Sequence, residues 1–296
     1  MTTTLATADL EPALARLDSG FAQTLVALPS GARVAVRTTR PAADQAPVIV
    51  LLHGIGSGAA SWLDVALTLG ARANVIAWDA PGYGESSPLE SGAPSAADYA
   101  QRLHELLIAL RVDACVLVGH SLGALIATAY ASALGRRVVR RLVLISPARG
   151  YGTADRADER AQVLEKRLRT LRERGVAGIA EDAPRRMLSA DADAAARAWV
   201  QWNAARLNAA GYTQAVRMLC RDDIVAHAPP AMPLEVHCGA ADSITPPESC
   251  RDIAAHFGVP LALIAQAGHA SPVEQPRAVA RLIADAASID LGDEQP

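Results

Sequence analysis

No run of 18 or more apolar residues occurs in this 296-residue chain, so no segment reads as a membrane-spanning helix. The N-terminal stretch MTTTLATADLEPALARLDSG has neither a basic region nor an apolar core, and no secretory leader is expected from it. Cysteine is sparse. Cys115, Cys220, Cys238 and Cys250 are far apart, with no CxxC or zinc-finger spacing, so a disulfide framework and a structural zinc are both disfavoured. Excess positive charge is also missing. The 31 acidic side chains outnumber the 28 basic ones, for a net charge of −3, and nothing here would hold a phosphate backbone. The 21 glycines and 18 prolines dominate no segment, which excludes collagen and low-complexity sequence. What is present is 51% hydrophobic and 20% charged, the balance of a water-soluble globular protein. A cytoplasmic enzyme fits this composition, and so does a binding module.

Along the chain, 21–28 and 32–39 flank Pro29-Ser30-Gly31 and read as a hairpin, followed by the loop PAADQAP. Six short runs then appear that are apolar on both faces: VIVLL (48–52), NVIAW (74–78), CVLVG (115–119), RLVLI (141–145), LEVHC (234–238) and LALIA (261–265). Such runs suit buried parallel strands. Helical stretches separate them. Leu103, Leu106, Leu107 and Leu110 lie on one helical face, and Ser95 with Asp98 forms a capping-box pattern. Residues 122–134 are almost wholly apolar, as in a helix buried all round, and 247–257 and 276–287 complete the set. Alternating strands and helices predict an α/β fold with a mostly parallel sheet flanked by helices. Residues 150–228 hold no strand-like run and are too long for a loop, so they are expected to form an inserted helical cap. The expected organisation is an N-terminal extension over 1–20, a core over 21–149 and 229–288, the cap over 150–228, and a tail over 289–296.

The chemistry concentrates at Gly119-His120-Ser121-Leu122-Gly123, a G-x-S-x-G at a strand-to-helix junction. Its sharp turn needs small flanking residues and lifts the serine clear of the sheet. Serine is a poor nucleophile without a base. His269, after the last strand, is the candidate base, and Asp242, after the preceding strand, is the candidate acid that orients it. The order Ser, Asp, His suits this fold. The backbone N–H groups of Leu122 and Ile55 are the candidate oxyanion donors, with Gly56 the near alternative to Ile55.

Taken together, HGIGSG, DAPGYGESS, GHSLG, GAADSITP and AGH resemble the oxyanion loop, the loop after the fourth strand, the nucleophile elbow, and the acid and base loops of the α/β-hydrolase superfamily. The resemblance covers roughly residues 21–288. Within that superfamily, RERGVAGIAEDAPRRML, GYTQAVRMLCRDDI and the D-x-x-T-P-P-E run resemble 3-oxoadipate enol-lactonases, whereas HGIGSGAASW resembles meta-cleavage-product hydrolases. The resemblance implies an α/β-hydrolase fold and a serine hydrolase. Its substrate is expected to be a small carboxylic ester or lactone, an enol-lactone among them. Carbon–carbon bond hydrolysis is the first alternative. A ligand-binding receptor and an acyltransferase on the same fold are alternatives of another class. No cofactor is expected, the histidines carry no metal-ligand spacing, and a homo-oligomer is compatible with the sequence.

Around the triad, Gly54 and Gly56 are pocket candidates. Trp62 either walls the pocket or fills the core. Trp199 and Trp202, three apart on one face, either line the pocket or pack the cap. His53 is expected to hold the oxyanion loop, His120 to be structural, Asp79 to tie its own loop, and Asp222 and Asp223 to cap or pair where the cap rejoins the core. Among Arg185, Arg186, Arg206 and Arg217, one is a candidate for gripping a substrate carboxylate.

Overall fold

The computed structural model describes residues 10–39 and 46–292. The loop expected over 41–47, the extension and the tail each lie partly outside the described residues. Among the described residues, eight strands form one sheet in the order β1-β2-β4-β3-β5-β6-β7-β8. They are β1 (Ala22–Ala27), β2 (Arg33–Thr38), β3 (Val48–Leu52), β4 (Asn74–Trp78), β5 (Cys115–His120), β6 (Val139–Ile145), β7 (Leu234–Gly239) and β8 (Leu261–Ile264). The hairpin β1–β2 joins β4 antiparallel, and every pairing from β4 through β8 is parallel.

The central runs are apolar on both faces because both faces are covered; β8, at the sheet edge, is the exception, with Ala262 and Leu263 exposed. Val50 and Leu52 of β3 enter one core cluster, and Ile49 and Leu51 enter the other. The first cluster contains Tyr99, Leu103 and Leu106 of α3 (Ala96–Ala109) and Leu125 of α4 (Leu122–Ala133). The second contains Leu17 of α1 (Glu11–Gly20), Leu69 of α2 (Leu63–Gly70) and Ile283 of α10 (Pro276–Ala286). The Ser95–Asp98 capping box forms in both directions.

One expectation changes. Residues 11–20 are helical rather than a loose extension, and Leu17 is buried against the core. Leu17 is the one buried residue in that helix, which is why its periodicity is faint. Between β6 and β7 come α5 (Ala157–Met187), α6 (Ala194–Ala205) and α7 (Ala209–Arg221), and α8 (Pro247–His256) and α9 (Ser271–Glu274) follow later. α5 is broken at Gly175, whose φ of 63° is left-handed backbone that glycine tolerates best. The two ends of the 150–228 segment are pinned together. Gly150 bridges Asp223, and the Tyr151 and Gly152 N–H groups donate to Asp222 O. The Asp223 carboxylate, fully buried, pairs with Arg149 at 3.2 Å, and Asp222 accepts from the Ala96 N–H at 2.8 Å.

Candidate active site

Parallel strands point the same way, so the loops after β3, β5, β7 and β8 gather at one edge of the sheet. Ser121 stands there between β5 and α4, at φ 54° and ψ −115°. Such backbone is costly for a side-chain-bearing residue and persists only where its surroundings hold it. Those surroundings are tight. A methyl group at Gly119 would sit 2.5 Å from Gly123 O, and one at Gly123 would sit 2.4 Å from Leu52 O. The Ser121 N–H donates to Ile145 O at 3.0 Å, locking the turn to β6.

The His269 Nδ1–H donates to Asp242 Oδ2 at 2.8 Å, with both side chains buried. Asp242 is saturated with donors. Its Oδ1 accepts from the Ile244 and Thr245 N–H groups at 2.8 and 3.0 Å, and its Oδ2 lies 2.9 Å from Thr245 Oγ1. Burial alone would raise this carboxyl, but the hydrogen bond and charge of His269, with the Thr245 N–H, outweigh it and pull the pKa down to about 2. Thr245 Oγ1 also lies 3.0 Å from Ser146 O and 3.2 Å from His269 Nδ1. Thr245 therefore positions the Asp242 carboxylate, a role the sequence reading did not assign. The D-x-x-T spacing of an Asx-type turn was its signal.

Ile55 and Leu122 both line the cavity that Ser121 faces. Among the described residues, neither backbone N–H donates to a protein acceptor. The loop bearing Ile55 is fixed from two sides. The His53 Nδ1–H donates to Gly54 O at 2.8 Å while its Nε2 accepts from the Ala80 N–H at 3.0 Å, and the Tyr83 hydroxyl donates to Ile55 O at 2.8 Å. Asp79 does more than tie its own loop. Its Oδ1 accepts from the Ala59 N–H at 2.8 Å, across to the segment after the glycines. The His120 ring turns toward the loop that carries His269, and its Nε2 lies 2.7 Å from His269 O.

Ser121, His269, Gly54, Ile55, Gly56 and Leu122 share a cavity of about 500 Å³. Its other walls include α5 and α7, with Arg186, Met187 and Tyr212, together with the segment after β6 and the loop after β7. Three pocket candidates do not reach it. Trp62 is fully buried in the second core cluster, edge-on to His120, because the apolar space beneath the elbow accepts its whole ring. Trp199 and Trp202 stack on each other at 4.7 Å, with Trp199 buried in that same cluster and the Arg206 guanidinium lying over Trp202. They pack α6 instead of lining the pocket. Arg217 is occupied elsewhere, donating to Gly92 O at 2.6 Å.

Glu274 is a further residue the sequence did not single out. Its carboxylate accepts from the Gly268 N–H at 2.7 Å and from the Ser189 N–H at 2.8 Å. The Ala270 N–H donates to Met187 O at 2.8 Å. The loop of His269 is thus clamped to the end of α5. Among the described residues, no group of three or more His, Cys, Asp or Glu side chains is placed to hold a metal, no helix is long and apolar enough to cross a membrane, and the four cysteines are buried and free.

Comparison with known proteins places the fold. An uncharacterised protein of Mycobacterium tuberculosis is 38% identical over 104 residues, which cover 35% of this chain and 30% of that protein. The chain thus aligns with under a third of that curated relative's length. An esterase from Thermogutta terrifontis, solved with malate bound, superposes with a TM-score of 0.76 at 23% identity, covering 89% of this chain and 97% of its own. An enol-lactonase from Burkholderia xenovorans LB400 gives 0.79 at 21% identity, covering 90% and 100%. Both likenesses are of fold. The model of the alpha/beta hydrolase family matches residues 49–282, most of the chain, and the protein belongs to that family.

Proposed function

We propose that the protein is a serine hydrolase that opens a carboxylic ester or lactone through an acyl-enzyme. The observation that carries this reading is Ser121, strained at φ 54°, sharing one cavity with a His269 ring whose Nδ1 is held 2.8 Å from Asp242. With Nδ1–H committed to Asp242, Nε2 is the nitrogen left to take a proton. Ser121 Oγ attacks the carbonyl and gives its proton to His269. The tetrahedral oxyanion takes the N–H groups of Ile55 and Leu122 at the N-terminus of α4, where the helix dipole favours negative charge. His269 then protonates the leaving alkoxide, and water repeats the sequence to free the acid. Asp242 stabilises the imidazolium and fixes its tautomer. In this reading α5–α7 act as the cap over the acyl site.

The test is hydrolysis of p-nitrophenyl esters of increasing chain length, with Ser121→Ala alongside. Turnover by the wild type and a loss of several orders of magnitude in the variant are expected. Equal rates in both would sink the proposal. An inert wild type that cleaves vinylogous diketones would move the assignment to carbon–carbon bond hydrolysis.

A further inference from the structure

Six cationic side chains line the cavity: Arg149, Arg156, Lys166, Arg167, Arg185 and Arg186. One acidic side chain, Asp182, stands among them. Three of the cations are already paired. Arg149 meets Asp223 at 3.2 Å, Arg156 meets Glu159 at 2.6 Å, and Arg185 meets Asp182 at 3.6 Å. Asp182 is further engaged by Arg174. Arg167, Arg186 and Lys166, the chain's one lysine, have no carboxylate within ion-pair distance among the described residues. Among the described residues the one side-chain hydrogen bond of Arg167 is a long one, 3.3 Å to the Tyr212 hydroxyl.

Arg167 and Arg186 lie on opposite sides of the break at Gly175. A straight helix would hold them about 28 Å apart. The break brings both onto one cavity wall, close enough that partial burial and the neighbouring Arg167 charge pull Arg186 below the usual guanidinium range. The two guanidiniums repel, Asp182 offsets this only in part because it is already shared between Arg174 and Arg185, and an anion between them removes the repulsion. Their planar forks match a carboxylate, which each can grip with two parallel N–H donors.

We infer that the cavity takes an ester or lactone that also carries a free carboxylate on its acyl chain, gripped by Arg167 and Arg186 while its scissile carbonyl sits at Ser121. This deepens the hydrolase reading above and rests on it. The side chains that confer the selectivity come from α5, opposite the catalytic loops.

The experiment compares mono-p-nitrophenyl glutarate with p-nitrophenyl pentanoate. The wild type is expected to favour the glutarate at least tenfold in kcat/KM, chiefly through KM. Arg167→Gln and Arg186→Gln each lower that ratio about tenfold, whereas Arg172→Gln, paired with Glu165 outside the cavity, leaves the ratio as it is. A wild-type ratio near one, or a ratio unmoved by both variants, overturns the inference while leaving the hydrolase reading intact. Calorimetric titration of glutarate into Ser121→Ala reads the same subsite without turnover. Weakening of at least tenfold on adding Arg167→Gln or Arg186→Gln supports the inference, and unchanged or absent binding overturns it. If neither ester is turned over but glutarate binds through these arginines, the hydrolase reading alone fails.

Discussion

The imidazole of His120 reaches the main-chain oxygen of His269 at 2.7 Å, so the residue before Ser121 holds the loop that carries His269. The ring is buried, and an added methyl at Gly54 would lie 3.2 Å from its Nδ1. Burial, with His269 adding to it, lowers the pKa of His120 to about 3. The folded state therefore stays neutral at a pH where the unfolded state, near 6.5, takes a proton.

The sign of the pH effect follows. Stability from a neutral His120 is complete above about pH 6.5 and declines as pH falls toward 3. Between pH 7 and 4.5 this residue should remove about 2–3 kcal/mol of unfolding free energy. Urea denaturation at a series of pH values measures it. His120→Gln should flatten the slope over that range, and an unchanged slope would refute the assignment. Asp242 acts lower, its contribution being lost as pH falls from about 3.8 through about 2.

Thr245→Val removes the hydroxyl that lies 2.9 Å from Asp242 Oδ2 and 3.0 Å from Ser146 O. One hydrogen bond of this kind is worth about 1–1.5 kcal/mol, so kcat should fall about 5- to 10-fold with KM little changed. Thr245→Ser should recover most of it. Asp242→Asn, which spoils the tautomer, should cost about 10³–10⁴ in kcat. Steady-state kinetics on one ester compares all three.

Gly123→Ala should abolish folding or activity outright, because the new methyl meets backbone at Leu52 O, 2.4 Å away, and backbone cannot swing aside. Gly56→Ala meets only the Met187 sulfur at 3.6 Å and should fold normally. Circular dichroism melts of the two variants make the comparison. Equal stability would mean the elbow is looser than its geometry indicates.

Trp202→Ala removes a stacked ring from the α6 pair at 4.7 Å and should lower stability by about 1–3 kcal/mol. Its preference among ester chain lengths should match the wild type, since the ring does not reach the cavity. A changed chain-length profile would return Trp202 to the substrate pocket.

Much of the sheet was legible in the sequence because central parallel strands covered on both faces are written as unbroken apolar runs, and each of the six runs is a strand, although the last, β8, lies exposed at the sheet edge. The Ser121 turn was equally legible, since Gly119 and Gly123 answer to contacts with nearby backbone that any larger residue would violate. The order of Ser121, Asp242 and His269 followed from which strand each one ends. Tertiary packing decided the rest. Trp62, Trp199 and Trp202 carry nothing in their local sequence that separates pocket wall from core, and three-dimensional space assigned them to core. Thr245 and Glu274 act through partners contributed by loops and helices that only the fold assembles. The same holds for Arg167 and Arg186, far apart along α5 yet set on one wall by the break at Gly175. Local pattern specifies elements and sharp turns because their energies are local, whereas the charge and shape of a cavity are sums over segments that meet only when the chain has folded.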